Sequence, residues 1–127
     1  MMKKTLIAVD DEPSILKVLD FYFGKTYNVV SKQNGKDALE WMQQGVVPDI
    51  IIADVNMPDV GGIEFILQIR SSGFFRDVPL IMLSSNEKSE DKIKSLKAGA
   101  DDYLTKPFNP EELEARIDNI FRRIKRV

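Results

Sequence analysis

Apolar runs and helix-like patterns alternate five times along this 127-residue chain, and four of the runs stop at a polar residue. Leu6-Ile7-Ala8-Val9 stops at Asp10–Asp11, and Ile50-Ile51-Ile52-Ala53 at Asp54. Leu80-Ile81-Met82-Leu83 stops at Ser84, and Tyr103-Leu104-Thr105 at Lys106. Strands separated by helices pair in parallel through right-handed crossovers. An eight-stranded α/β barrel needs about twice this length. The alternation therefore predicts one domain built on a doubly wound, five-stranded parallel sheet. The first, third and fourth runs are nearly all Val, Ile, Leu, Met or Ala, which suits strands covered by helices on both faces.

The expected elements follow from local chemistry. A strand over Thr5 to Val9 leads to a helix near Pro13, with Asp11 or Glu12 in the cap region and Gly24 after its last turn. Its inner face reads Ile15, Leu16, Leu19, Tyr22 and Phe23. Tyr27 to Ser31 is a short second strand. Asn34-Gly35 turns into a helix with Ala38, Leu39 and Met42, closed by Gly45. The third strand, Ile50 to Ala53, runs into a loop over Asn56 to Gly62 and a helix with Ile63, Ile66 and Ile69 inward. After the fourth strand comes a helix over Ser89 to Ala98 whose apolar face is thin, Ile93 and Leu96. Gly99 ends it. Strand five is Asp102 to Thr105. In the last helix, after Pro110, the residues Leu113, Ile117, Ile120, Phe121 and Ile124 form an amphipathic stripe.

Parallel strands bring all four polar stops to one sheet edge, where open α/β sheets bind ligands. In the flavodoxin-like order 2-1-3-4-5, strands one and three are neighbours at the point where the winding reverses. Asp10–Asp11 and Asp54 then face each other. Carboxylate and carbonyl oxygens completed by water suit Mg²⁺. Ser84 and Lys106, a hydroxyl and an ammonium, complement this set. Each would bind one oxygen of a phosphoryl group on Asp54, and the cation would take the third. Taken singly, Asp11 also reads as a helix cap, Asp54 as a solvated strand end, Ser84 as a turn residue and Lys106 as surface solvation. Pro107 ends strand pairing, and a cis bond before it would aim Lys106 inward; spacing leaves cis or trans open.

The chain has no cysteine and no histidine, which excludes disulfides, thiol chemistry and a phosphohistidine of its own. A phosphoryl group must come from another molecule. The net charge of −2 gives no overall footprint for nucleic acid. The exception is the tail Arg122-Arg123-Ile124-Lys125-Arg126, which reads as a helix end whose cations complement the dipole, or as the start of a linker. No apolar run approaches the ~20 residues of a membrane helix, and the start is too short for a signal peptide. The expected location is the cytoplasm, without membrane contact.

Leu6-Ile7-Ala8-Val9-Asp10-Asp11-Glu12 resembles the acidic-pair strand of a response-regulator receiver domain. The stretch Asp54-Val55-Asn56-Met57-Pro58-Asp59-Val60-Gly61-Gly62 resembles that family's phosphoacceptor loop. Leu80 to Ser85 and Gly99 to Phe108 resemble its later blocks, so the likeness covers essentially the whole chain in order. It implies that Asp54 is the phosphoacceptor, charged by a sensor histidine kinase or a histidine phosphotransfer protein. Asp10, Asp11, Asp54 and the backbone carbonyl of Asn56 hold Mg²⁺, with Mn²⁺ as a substitute. Ser84 is the switch hydroxyl, Lys106 contacts the phosphoryl group, and Tyr103 is the aromatic switch residue that turns inward. Ser84 stands where Thr is common, and Gly61 replaces a frequent Asp. Asn56 and Asn86 match positions that tune phosphoryl lifetime.

The resemblance implies a switch with only weak self-phosphorylation and self-dephosphorylation, not an enzyme. Its output is a changed surface on the fourth helix, fifth strand and last helix. Lys92, Asp101, Asp102 and Arg116 carry mixed charges there. They would pair across a two-fold dimer, in the manner of receivers of winged-helix transcription factors, or would simply be solvated. An output domain beyond residue 127 and transcriptional control are compatible with this. A haloacid dehalogenase-type phosphatase would need a second Asp where Asn56 stands. A flavodoxin-like nucleotide or flavin binder would need a Gly- or Ser/Thr-rich loop where Asp10-Asp11-Glu12 stands. A degenerate receiver would lack part of the residue set.

Overall fold

The computed structural model describes residues 3–58, 60–85 and 88–125. Ten elements alternate in chain order: β1 (Thr5–Val9), α1 (Pro13–Phe23), β2 (Asn28–Lys32), α2 (Gly35–Met42), β3 (Ile50–Asp54), α3 (Gly62–Ser71), β4 (Leu80–Ser84), α4 (Ser89–Ala98), β5 (Asp102–Thr105) and α5 (Pro110–Lys125). The strands form one sheet in the order β2-β1-β3-β4-β5. Every pairing is parallel. The expected doubly wound, flavodoxin-like architecture is the one observed.

Alternation along each strand divides the core into two layers. Ile7, Val9, Ile51, Ala53, Leu80 and Met82 face the side covered by α2 and α3, where Ala38, Met42, Phe65, Ile66 and Ile69 pack. Leu6, Ala8, Ile50, Ile52, Ile81 and Leu83 face α1 and α5 and meet Leu16, Leu19, Phe23, Leu113, Ile117 and Ile120. β3 and β4 are buried throughout, whereas the edge strand β2 is not. Tyr27, expected as the first residue of the second strand, falls just before β2, which runs one residue later at both ends. It is buried between Phe23 and Phe121.

Helix ends follow their capping chemistry. The Asn34 side chain accepts a 2.8 Å hydrogen bond from the Asp37 N–H and starts α2. That helix stops at Met42, short of Gly45, which takes a positive φ three residues later. Gly99 ends α4 as expected, with φ 125°. α4 is the weakly held helix: Ser95 is its buried residue, while Ile93 and Leu96 are exposed. Arg70 clamps its base, donating to the carbonyls of Gly99, Arg76 and Val78 at 2.9, 2.9 and 2.6 Å. Arg70 also pairs with Asp101 at 3.0 Å.

Gly62 opens α3 under the backbone of Val55, to which its N–H donates at 2.8 Å. A Cβ at Gly62 would come within 2.5 Å of the Val55 carbonyl oxygen and 2.6 Å of its Cα. Those are backbone atoms of the loop that follows Asp54, so relief requires moving the loop itself. Gly62→Ala is expected to lower unfolding free energy by about 2 kcal/mol, in the range of overpacked sites. Chemical denaturation followed by circular dichroism measures this directly.

Candidate functional site

The C-terminal ends of β1, β3, β4 and β5 are tied together by backbone hydrogen bonds. Val55 N–H donates to Leu83 O at 2.9 Å, and Lys106 N–H to Ser84 O at 2.7 Å. Register sets Val9 beside Ala53, Asp54 beside Leu83 and Ser84 beside Thr105. The sheet thereby gathers the four polar stops at one edge.

Oxygen atoms of Asp10, Asp11, Glu12 and Asp54 lie within 4.8 Å of one another. Asp10 and Asp54 are buried, at 1% and 4% exposure. Asp11 and Glu12 stand on the exposed rim. Asp10 Oδ1 accepts from the Glu12 N–H at 2.9 Å, and Asp54 Oδ1 from the Asn56 N–H at 3.3 Å. The Lys106 ammonium reaches into this set: Nζ is 2.8 Å from Asp10 Oδ2, 3.2 Å from Glu12 Oε1 and 3.6 Å from Asp54 Oδ2. Asp10 Oδ2 is met by the Lys106 ammonium alone, which leaves this buried carboxylate oxygen with a second lone pair to offer. The Lys106-Pro107 bond is cis.

By sequence Glu12 is a cap residue of α1; in the fold it is a partner of Lys106. It occupies the N-cap of α1 but makes no side-chain cap bond. Its carboxylate turns to Lys106 instead, a pairing 94 residues apart in sequence that local pattern cannot reveal. Ser84 is fully buried at the end of β4. Tyr103 is 5% exposed, its ring packed inward against the α2–α3 layer. Of the four expected partner residues, Lys92, Asp102 and Arg116 stay together and Asp101 turns away. Asp102 binds Arg116 at 3.0 Å, and Arg116 also binds Glu112 at 2.9 Å. Lys92 shares a cavity of about 480 Å³ with Tyr103, Glu112 and Arg116. Asp101 is drawn to Arg70 and lines a different cavity. Of the basic tail, Arg122 and Arg123 lie exposed near the end of α5; Arg126 lies outside the described residues, as do Asp59 and Asn86.

A family profile described as the response regulator receiver domain matches residues 6–118. The chain belongs to this family. It is 38% identical over 123 residues to the alkaline phosphatase synthesis transcriptional regulatory protein PhoP of Bacillus subtilis, covering 96% of this chain and 50% of that protein. It is 42% identical over 122 residues to the probable transcriptional regulator ycf27 of Guillardia theta, covering 95% of this chain and 46% of the relative. The receiver thus spans about half the length of the curated relatives it matches. Among solved structures, the chemotaxis response regulator CheY4 of Vibrio cholerae superposes with a TM-score of 0.86 at 32% identity, covering 94% of this chain and 99% of that one.

As a receiver, the domain carries its acidic cluster at an electrostatic cost. Burial is the main force raising the Asp54 pKa, to about 6, and the nearby Asp10 charge adds to it; Lys106 and the Asn56 N–H pull the other way. Burial alone would lower the Lys106 pKa, but the carboxylates of Asp10, Asp54 and Glu12 outweigh it and leave the pKa raised. With its folded pKa above the ordinary value of 3.8, Asp54 supports the fold fully when protonated, below about pH 4. That support is lost as pH rises through about 6. In cation-free buffer at pH 7, Asp54→Asn is expected to be more stable than wild type by about 2 kcal/mol. The difference should close toward pH 4, as read by thermal unfolding at both pH values.

Proposed function

We propose that this receiver is a phosphorylation-activated switch in which Asp54 accepts a phosphoryl group from a sensor histidine kinase or histidine phosphotransfer protein. A carboxylate oxygen of Asp54 attacks phosphorus. The new O–P bond forms as the bond to the donor nitrogen breaks, and the electron pair leaves with the donor. The supporting observation is the convergence of buried Asp54, the acidic rim and the Lys106 ammonium at one sheet edge.

Asp10, Asp11 and Asp54, with the Asn56 carbonyl, suit Mg²⁺ or Mn²⁺, since hard oxygen donors predominate and Asp10 Oδ2 has acceptor capacity to spare. The cation supplies charge neutralisation on the transferring phosphoryl oxygens. Lys106 and Ser84 bind the remaining oxygens. Phosphorylation adds about −1.5 to −2 charges and new acceptors. Ser84 and Lys106 respond to them. α4 rests on little buried surface, so it yields first and alters the surface it shares with β5 and α5. Tyr103 lies inward, and phosphorylation would shift the population toward this packing.

The domain is a switch, not an enzyme; its weak self-phosphorylation and self-dephosphorylation use the same residues. Its output is carried by a partner, a homodimer or an attached domain, and the transcriptional relatives favour control of transcription; with a net charge of −2 the receiver itself has no overall footprint for nucleic acid. We place it in the cytoplasm; among the described residues no helix is long and apolar enough to cross a membrane.

Intact mass after incubation with a small phosphodonor tests the acceptor. Wild type should gain one Mg²⁺-dependent phosphoryl adduct and Asp54→Asn none. An adduct in the variant would place the acceptor elsewhere. Light scattering tests the dimer: phosphorylated wild type should run as a dimer and phosphorylated Lys92→Glu as a monomer. An unchanged dimer in the variant would remove this surface from the output.

A further inference from the structure

Glu12 is the cluster carboxylate to which the proposed reaction gives no role. It stands at the start of α1 without capping it. Its side chain is 56% exposed, yet it reaches the ammonium of Lys106, a side chain only 8% exposed, at 3.2 Å. That ammonium sits nearer Asp10, at 2.8 Å, than the acceptor Asp54, at 3.6 Å. Lys106 therefore occupies the place of a cation among these carboxylates.

We propose that Glu12 is a positioning residue, the carboxylate that keeps the Lys106 ammonium at the rim while a divalent cation occupies Asp10 and Asp54. This rests on the Mg²⁺ reading of the same site. An ammonium and a divalent ion within a few ångströms repel strongly in a partly buried setting. The ion can take Asp10 only if the ammonium releases it. Asp10 is 1% exposed and fixed by the Glu12 N–H, so it cannot swing away with the lysine. Glu12 is on the rim, on a flexible side chain, and already touches Nζ. The ammonium keeps this partner when it gives up Asp10, and it stays within reach of a phosphoryl group on Asp54. Without the Glu12 carboxylate, Lys106 holds Asp10 and competes with the incoming ion.

Two other roles for Glu12 would also favour cation binding: direct ligation, since its oxygen lies in the 4.8 Å cluster, and simple negative potential. Both act whether or not Lys106 is present. A double-mutant cycle separates them from positioning. Mg²⁺ dissociation constants would be measured by titration calorimetry for wild type, Glu12→Gln, Lys106→Met and the double variant, with thermal unfolding to show that each is folded. Glu12→Gln should weaken binding about fivefold in wild type and Lys106→Met should tighten it about threefold, both within the coupling range of contacting residues. With Lys106→Met in place, Glu12→Gln should change affinity by less than about 1.5-fold. Equal weakening in both backgrounds would make Glu12 a ligand or a source of field and overturn the proposal. So would an unchanged affinity for Glu12→Gln alone. Wild type that binds no Mg²⁺ at millimolar concentration would overturn the metal reading itself, and this role with it.

Discussion

Asp10 and Asp54 are carboxylates buried side by side at the end of a parallel sheet, with the Lys106 ammonium shared between them and the rim. Burial and the neighbouring Asp10 charge disfavour ionisation of Asp54, and the Lys106 ammonium only partly offsets this. The site is consequently unsaturated. Asp10 Oδ2 is met by the Lys106 ammonium alone, and the Asp54 pKa is raised to about 6. This is the physical ground for the proposed cation: the sheet does not let the carboxylates separate, so a further positive charge would relieve their repulsion. β1 and β3 are fixed in register by their ladder. Asp54 is further anchored by the Val55 N–H bond to β4 and by the Asn56 N–H on its own carboxylate.

Rigidity at the sheet edge contrasts with the helix beyond it. α3 buries Phe65, Ile66 and Ile69, and α5 buries Leu113, Ile117 and Ile120. α4 buries Ser95 and leaves Ile93 and Leu96 exposed. Its C-terminal base is clamped through Gly99 by Arg70, whose guanidinium also fastens the segment before β4 and Asp101 before β5. A helix fixed at its base and burying little along its length is the element whose displacement sacrifices least buried surface. Ser84 and Lys106, the proposed responders, sit at the ends of those two strands, joined by the Lys106 N–H to Ser84 carbonyl bond.

Much of this was legible in the chain because parallel α/β sheets impose a simple rule. A strand buried on both faces reads as a continuous apolar run, and a ligand edge reads as the polar residue where that run stops. Asp10, Asp54, Ser84 and Lys106 were visible on that basis. The boundaries that shifted lie where packing overrode local pattern. Tyr27 has the look of a strand residue but packs with Phe23 and Phe121, and β2 starts one residue later. α2 stops at Met42, while the glycine that invites a stop is at Gly45. Phe65 completes the α3 core beside the expected isoleucines, since a helix face is wider than one i, i+3 row.

Charge pairing was the part that sequence could not resolve. Lys92, Asp101, Asp102 and Arg116 form one mixed surface on paper, but Arg70 draws Asp101 toward α3 and Arg116 claims Asp102 across 14 residues. Glu12 looks like a helix cap beside Pro13 and becomes a partner of Lys106 from the far side of the chain. The sequence by itself determined the fold class, the strand order's active edge and the residue types gathered there, because periodicity and chain direction follow from local steric rules. Only the tertiary structure decided which carboxylate meets which cation. Long flexible side chains choose partners through distances of a few ångströms, set by elements that are tens of residues apart.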